Sequence, residues 1–265
     1  MPPSPEVSAD VPALEMRDVT VPSLRDPSMI VVEGVNWTVA PGEFWAVAGL
    51  TRSGKSDFMA LAAGIMRPAR GIYRVFGQEL IAGFEHERLA ARLRVGLVFD
   101  GGQLIHDLTL AENVALPLRY HLGGAATNIE QRLNALFDMT GLEPWADSYP
   151  ASVNRNWQQR IGLARALALQ PAVLLLDSPL TGLDPHDAAW WLDTVEALVK
   201  GHPIMDEKPL TVVVTGDDLR PWRNRAGRFA ILKSRQLVAL GTNEDLAQRE
   251  ESLLQDMLPR PASKS

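Results

Sequence analysis

Short apolar runs alternate with longer amphipathic segments along most of the chain. Several of these runs are continuous rather than alternating with polar residues, which is typical of strands buried on both faces of an α/β sheet. The predicted strands are Leu14–Val21, Met29–Val39, Phe44–Ala48, Gly71–Phe76, Val95–Phe99, Val173–Asp177, Leu210–Thr215, Arg228–Leu232 and Gln236–Leu240. The pattern therefore predicts an α/β fold with a mostly parallel sheet at its core.

A long helical region interrupts this alternation, from about Thr109 to Gln170. The letters TLAE at Thr109–Glu112 form a capping box, which marks the start of a helix, and we expect Pro117 to interrupt that helix. Further helices are predicted at about 128–139 and 154–170. The pattern indicates a helical insertion in the parallel-sheet core.

Composition narrows the class of protein. The chain has 265 residues, of which 46% are hydrophobic and 22% charged, and a net charge of −6, so nothing indicates a nucleic-acid partner. It has no cysteine, which excludes disulfides and thiolate metal sites. No apolar run approaches the ~20 residues needed to cross a bilayer, and residues 1–11 do not form a secretory signal. We expect a soluble or peripheral protein, with disordered tails at 1–11 and 258–265.

The first chemical motif is GLTRSGKS at Gly49–Ser56, between the strand letters EFWAVA and an apolar helix. Gly49 and Gly54 let the backbone curl so that its N–H groups face an anion at a helix N-terminus. Lys55 can reach the terminal phosphates of a nucleotide, and the Ser56 hydroxyl can coordinate magnesium. The alternative is a chance match in a loop, but the strand before it and the helix after it favour phosphate binding.

The second motif is LLLDSPLTGLDP at Leu174–Pro185. Asp177 ends a buried strand, which is the usual place of the acidic residue that steadies magnesium through Ser56. Taken alone, an aspartate there is more often a helix cap or a turn residue. Further along, Asp184 followed by Pro185 predicts the start of a helix.

These motifs resemble the nucleotide-binding subunits of ATP-binding cassette (ABC) transporters. The resemblance extends from about Leu14 to Met257, and its most informative stretch is YPASVNRNWQQRIGLARALALQPAVLLLDSPLTGLDP. It implies an ATP-binding domain over 12–257, with a P-loop (RecA-like) core, an antiparallel β subdomain and a helical subdomain at about 103–170. The letters DLTLAENVALPLRYH look most like the ATPases of MCE-type phospholipid transport systems.

The resemblance also implies ligands and partners. The cofactors would be ATP and Mg²⁺, with magnesium held by Ser56 and Asp177. The family forms head-to-tail dimers, here with itself or with another ABC ATPase, in which Asp184 (the D-loop position) contacts the partner chain. The chain would dock on a transmembrane permease at the cytoplasmic face of the cell membrane, through a groove around Leu104–Leu118. MCE-type components are a further possible partner. The implied nucleotide-binding residues are Gly49, Leu50, Thr51, Arg52, Ser53, Gly54, Lys55, Ser56 and Asp57.

The chain departs from the family at the positions that contact nucleotide. Ser178 stands where the family has the glutamate that polarises water, Gly216 replaces the switch histidine, and Asp100 replaces the Q-loop glutamine. No aromatic residue lies near Ser23 or Leu24, where one would stack on adenine. The signature Leu-Ser-Gly-Gly-Gln falls on Val153, Asn154, Arg155, Asn156 and Trp157, where Arg155 and Asn156 add bulk.

Each departure alone also has an ordinary explanation. Asp57, at a hydroxyl position, is a favourable charge in a helix's first turn, and Arg52, at a glycine position, can point to solvent. Together the departures indicate selective loss of hydrolysis. Three hypotheses remain: a nucleotide-binding pseudo-ATPase that scaffolds or regulates a transporter, an active ATPase that uses Asp217 or Asp218 instead, and a structural partner that binds no nucleotide.

Overall fold

The computed structural model describes residues 11–80, 85–122 and 126–246. Residues 1–10 and 258–265, which make up nearly all of the predicted tails, lie outside the described residues. No helix within the described ranges is both long and apolar enough to cross a membrane.

A six-stranded, mostly parallel sheet forms the core, in the order β10-β9-β3-β8-β7-β6. Its strands are β3 (Phe44–Gly49), β6 (Val95–Val98), β7 (Val173–Leu176), β8 (Thr211–Gly216), β9 (Arg228–Lys233) and β10 (Gln236–Gly241). All pairs in it are parallel except β9 with β10. The continuous apolar runs become its central strands because β3, β7 and β8 are covered on both faces.

A second, antiparallel sheet has the order β2-β1-β4-β5. Its strands are β1 (Leu14–Pro22), β2 (Ile30–Val39), β4 (Arg70–Val75) and β5 (Gln78–Glu79). Every predicted strand is present within one residue of its predicted bounds. The two-residue strand β5 was not predicted, because so short a segment has no detectable period.

Helices cover the core sheet. They are α1 (Lys55–Ala62), α2 (Glu85–Arg92), α3 (Leu110–Leu122), α4 (Ala126–Thr140), α5 (Arg155–Leu167) and α6 (Pro185–Lys200). Short 3₁₀ turns lie at Glu143–Trp145, Pro150–Ser152, Pro203–Met205 and Arg220–Trp222. The helices α3, α4 and α5 all fall between β6 and β7 in the chain, as the predicted insertion requires.

The start of α3 agrees with the prediction, but its course does not. The Thr109 N–H donates to Glu112 Oε2 at 2.8 Å, and the Glu112 N–H donates to Thr109 Oγ1 at 3.1 Å, which is the predicted capping box. The predicted interruption at Pro117 is wrong, because α3 continues through it. Val114 and Leu118, on either side of the proline, are fully buried. Their packing outweighs the loss of one helical hydrogen bond.

The core has two layers, one on each face of the main sheet. Along β3, Phe44 and Ala46 face the cluster that includes α5 and α6, whereas Trp45 and Val47 face the antiparallel sheet and α1. Trp45 meets Trp37 of β2 edge to face, with ring centroids 5.6 Å apart. This two-sided packing holds the carboxyl ends of the parallel strands at one edge, where the predicted site residues lie.

Candidate nucleotide site

The predicted site residues converge at the carboxyl edge of the main sheet. β3, β8, β7 and β6 are neighbours and parallel, so the loops that follow them open on the same edge. These loops carry, in turn, the P-loop, Gly216, Asp177 with Ser178, and Asp100. Ligands of open α/β sheets bind at this edge.

The P-loop ends in a helix terminus that the protein does not cap. Gly54 is the N-cap of α1, has a left-handed φ of 90°, and provides no side-chain cap. The buried Ser53 Oγ has no hydrogen-bond partner among the described residues. Ser56 is exposed in the first turn. An uncapped helix N-terminus beside an unpaired hydroxyl fits an anionic group such as a phosphate.

The remaining P-loop positions lie at its surface. Leu50, Thr51 and Arg52 are exposed, and Arg52 has a left-handed φ of 66°. Such a backbone conformation is easier for the glycine that the family has at this position. A Cβ on Gly49 would crowd the loop, since it would lie 2.4 Å from Ser53 Oγ and 3.2 Å from Lys55 Cγ.

Lys55 is buried and fully bonded within the chain. It is 9% exposed, and its ammonium donates to Gly49 O at 2.5 Å, to Leu50 O at 3.1 Å and to Asp217 Oδ1 at 2.7 Å. Asp217 follows β8 directly, so the parallel pairing of β3 with β8 brings the two residues together. The sequence named Asp217 only as a substitute catalytic group, and its partnership with Lys55 was missed.

Asp177 and Ser178 form a small hydroxyl–carboxylate network. Asp177 is 2% exposed and its Oδ1 accepts from Thr215 Oγ1 at 2.9 Å and from Ser178 Oγ at 3.3 Å. The Ser178 N–H donates to Thr215 Oγ1 at 3.0 Å. A neutral hydroxyl turned toward Asp177 lacks the charge with which a carboxylate polarises water.

The two proposed substitute carboxylates are both engaged. Asp217 binds Lys55, and Asp218 forms an ion pair with Arg220 at 2.7 Å. Burial alone would raise the pKa of Asp218, but the hydrogen bonds and charge of Arg220 outweigh burial and lower it. A lowered pKa makes Asp218 a weak general base near neutral pH.

Asp57 ties the P-loop helix to a neighbouring loop. Its Oδ1 accepts from the Leu24 N–H at 2.7 Å. The sequence allowed Asp57 either to repel a phosphate or to pair with Arg52, and no ion pair between these two described residues is present. The contact brings Leu24, which is 43% exposed, to the place where the family has an aromatic residue.

The start of α5 carries the signature-equivalent positions, and their side chains bind within the chain. Asn154 caps the helix by accepting from the Trp157 N–H at 2.9 Å. Arg155 forms an ion pair with Asp100. Asn156 is 7% exposed, and its Oδ1 accepts from Trp191 Nε1 at 3.0 Å. The expectation that Asn156 adds bulk at the exposed helix end is therefore wrong, because its side chain points inward to α6.

Two other signature-equivalent residues support this helix end. Val153 is buried, and the Trp157 ring packs against Trp145 with centroids 5.2 Å apart. The Val153 side chain is therefore enclosed within the chain, while the Trp157 side chain is half-buried.

The loop after β6 lies along α5, and sequence reasoning missed this contact. Arg165 Nη2 donates to Gly102 O at 2.7 Å. A Cβ on Gly102 would lie 2.2 Å from Gln158 O, and one on Gly162 would lie 2.9 Å from the Gly102 Cα. The glycine pair Gly101–Gly102 was a usable signal, since a turn pressed against a helix needs small residues.

Asp184 has a structural role within this chain. Asp184 caps α6 by accepting from the Asp187 N–H at 2.9 Å, with Pro185 in the first turn, as predicted. Across the parts of the chain that the structure describes, no group of three histidine or carboxylate side chains could hold a metal ion.

Comparison with known proteins identifies this arrangement. The family described as "ABC transporter" matches residues 32–181, more than half of the chain. The chain belongs to the ABC transporter family. The match includes the P-loop, Asp100, the start of α5 and the Asp177–Ser178 pair.

Curated relatives are ATP-binding proteins of importers. The chain is 31% identical over 231 residues to the methionine import ATP-binding protein MetN of Rhodopseudomonas palustris strain BisA53, which covers 87% of this chain and 60% of that protein. It is 33% identical over 215 residues to MetN of Caulobacter vibrioides, which covers 81% of this chain and 63% of that protein. The chain spans about 60% of the length of these relatives.

Solved structures agree with the fold. A dimeric structure of the ATP-binding cassette MJ0796 bound to ADP and Pi has a TM-score of 0.74 and 28% identity, covering 84% of this chain and 96% of that one. CbiO1 of Clostridium perfringens, part of the ABC transporter complex CbiONQ, has a TM-score of 0.73 at 20% identity, covering 95% and 97%, and supports the fold alone. The predicted P-loop α/β fold with an antiparallel β subdomain is therefore confirmed.

Proposed function

We propose that the chain is the nucleotide-binding subunit of a membrane transporter and takes ATP with Mg²⁺ at Gly49–Asp57. The uncapped N-terminus of α1 at Gly54 carries this proposal, because its free N–H groups suit a phosphate chain. Within an ATP-binding domain of 12–257, the helical subdomain would span about 103–170. The family and the ADP- and Pi-bound cassette support ATP as the ligand.

Magnesium would be held by Ser56 and Asp177. The Ser56 residue is exposed in the first turn of α1, and Asp177 directly follows β7 at the same edge of the sheet. Hydroxyl and carboxylate oxygens are suitable magnesium ligands. A bound ion would neutralise part of the phosphate charge. It would thereby reduce the repulsion between the phosphates and the nearby carboxylates of Asp57 and Asp217.

Our proposal for hydrolysis is that it is slow at this chain's own site. Ser178 offers only a hydroxyl, Gly216 offers no side-chain donor, and Asp100 is paired with Arg155. Losing a positioned base costs about 10²–10⁴ in rate, and losing a preorganised donor about 10²–10³. These losses are not additive when the residues act as a unit.

An active ATPase that energises import is the second candidate, and the comparisons support it better than the first. The curated relatives named above are import ATP-binding proteins. Asp217 is the substitute group closest to Lys55 in this chain. The third hypothesis, a partner that binds no nucleotide, is less consistent with the uncapped terminus of α1.

Phosphate release distinguishes the first two candidates. The purified chain should show magnesium-dependent hydrolysis no faster than its Lys55→Ala variant. Ser178→Glu alone should stay near background. Adding Gly216→His, where a Cβ would make only ordinary van der Waals contact, and Asp100→Gln should still fall short unless 153–157 are also restored. Robust hydrolysis by the unmodified chain, abolished by Lys55→Ala, would establish the active ATPase instead.

The proposed partners are a transmembrane permease and a second cassette, either a copy of this chain or another ABC ATPase. For the permease, the exposed apolar side chains of Ile105, Leu116 and Tyr120 support a docking surface near α3. Leu104 is buried and Leu108 is half-buried, so these two predicted docking residues serve the chain's own packing. The chain would then sit at the cytoplasmic face of the membrane.

Ile105→Asp tests this docking. The variant should leave the membrane fraction while keeping its unfolding midpoint, because Ile105 is 43% exposed. Ile65→Asp is the matched control, since Ile65 is 47% exposed and lies in the loop that follows α1. Loss of folding in Ile105→Asp, or equal release of both variants, would contradict the docking surface.

The cargo has two candidate classes. The relatives' names suggest an amino acid such as methionine, whereas the letters DLTLAENVALPLRYH suggest phospholipid handling by an MCE-type system. The relatives named above do not support the lipid prediction. Loss of methionine uptake in cells that lack this chain, with normal membrane lipid composition, would favour import.

A further inference from the structure

The Lys55 ammonium has no donor left for a ligand. A lysine carries three N–H donors. Gly49 O, Leu50 O and Asp217 Oδ1 lie 2.5, 3.1 and 2.7 Å from Nζ and can use all three. A phosphate that binds Lys55 must therefore replace one of these acceptors.

Asp217 is the acceptor that can leave. Gly49 O and Leu50 O belong to the backbone of the P-loop, so they can move away only if that backbone changes. The Asp217 side chain is 54% exposed and can rotate into water, where its carboxylate is well solvated. It is also the only one of the three acceptors that is negatively charged, as a phosphate is.

We propose that Asp217 is an autoinhibitory contact that holds Lys55 in the place of a phosphate and lowers the affinity of the site for nucleotide. The inference rests on the proposed binding of nucleotide at the P-loop. Only molecules in which Asp217 has released Lys55 bind at full affinity. The apparent Kd is raised by the inverse of that fraction.

Charge strengthens the effect. After release, Asp217 still lies beside the incoming phosphates and repels them, as Asp57 does from the first turn of α1 and Asp177 does from the end of β7. Lys55 is the only buried cation at this edge of the sheet among the described residues. Removing the Asp217 charge should therefore both free Lys55 and reduce the repulsion.

Titration with ATP and Mg²⁺ tests the inference. Asp217→Asn and Asp217→Ala should each bind ATP about tenfold more tightly than the unmodified chain. Asp193→Asn is the matched control, because this substitution removes the same charge. Asp193 is exposed and forms an ion pair with Arg225 at 3.0 Å. The control should bind within about twofold of the unmodified chain.

The outcomes separate this inference from the proposed function. Binding by the unmodified chain, with equal or weaker binding by both Asp217 variants, would overturn the autoinhibitory contact and leave nucleotide binding in place. Equal tightening in Asp193→Asn would assign the effect to net charge and also overturn it. If neither the unmodified chain nor either Asp217 variant binds millimolar ATP, nucleotide binding itself is wrong.

Discussion

The N-termini of α1 and α5 make an instructive comparison, because both carry residues at positions that the sequence resemblance assigns to nucleotide contact. α1 begins after a left-handed glycine, has no side-chain cap and leaves the Ser53 hydroxyl unpaired. α5 begins with Asn154 as its cap, and the two residues that follow bind Asp100 and Trp191. The α1 terminus has no side-chain cap, whereas the α5 terminus is capped by Asn154 and pairs Arg155 with Asp100, although Asn156 Nδ2 has no partner among the described residues.

In the proposed dimer, each nucleotide site would be formed by residues of both chains. The difference between the two helix ends indicates which part of such a site this chain can supply. In the proposed head-to-tail dimer, its P-loop would face a partner's signature, and its α5 would face a partner's P-loop. The first contact retains an anion site, whereas the second meets side chains already committed within this chain. Ser178 and Gly216 also weaken the first, so no single partner would give a pair with one fully intact site.

The largest expected effect concerns the uncapped N-terminus of α1. Lys55→Ala should weaken ATP binding about 10- to 100-fold, because it removes a charge-assisted contact to the phosphates. Lys200→Ala is the control, since Lys200 is exposed and pairs only with Glu196 at 2.6 Å among the described contacts. The measurement is titration with ATP and Mg²⁺. Unchanged affinity in Lys55→Ala would remove the distinction between the two helix ends.

The next largest effect concerns Asn156, which is buried at the N-terminus of α5. Asn156→Ala should lower the free energy of unfolding by about 1–3 kcal/mol, because it leaves the buried Trp191 N–H without an acceptor. Urea unfolding measures this, and the same change in a Trp191→Phe background should cost less. An equal cost in both backgrounds would mean that the hydrogen bond contributes nothing specific.

The smallest effect concerns the exposed ion pair between Arg155 and Asp100 at the N-terminus of α5. Arg155→Ala and Asp100→Asn should each cost less than about 1 kcal/mol of stability, because the Arg155 side chain is 64% exposed and that of Asp100 is 38% exposed. The double variant should show a small coupling that fades at high salt. A large coupling insensitive to salt would mean that the pair holds the end of α5 more firmly than its exposure indicates.

Much of the fold was predictable because its signals are local. Continuous apolar runs marked the strands, and TLAE and Asp184–Pro185 marked the starts of α3 and α6. Pro117 failed as a predictor because the buried residues beside it stabilise a helix that the local rule would interrupt. Likewise, no local pattern shows that Gly102 lies against α5, since the contact joins distant segments.

The sequence by itself determined which groups are present at the nucleotide positions: a P-loop with Lys55, a serine at 178, a glycine at 216 and altered signature residues. Only the tertiary structure decided where those groups are directed. The parallel pairing of β3 with β8 brings Asp217 to Lys55, and the approach of α5 to the loop after β6 joins Arg155 to Asp100. Hydrogen bonds and ion pairs depend on distances of about 3 Å. Distances between residues far apart in the chain are set by packing, which no short stretch of sequence encodes.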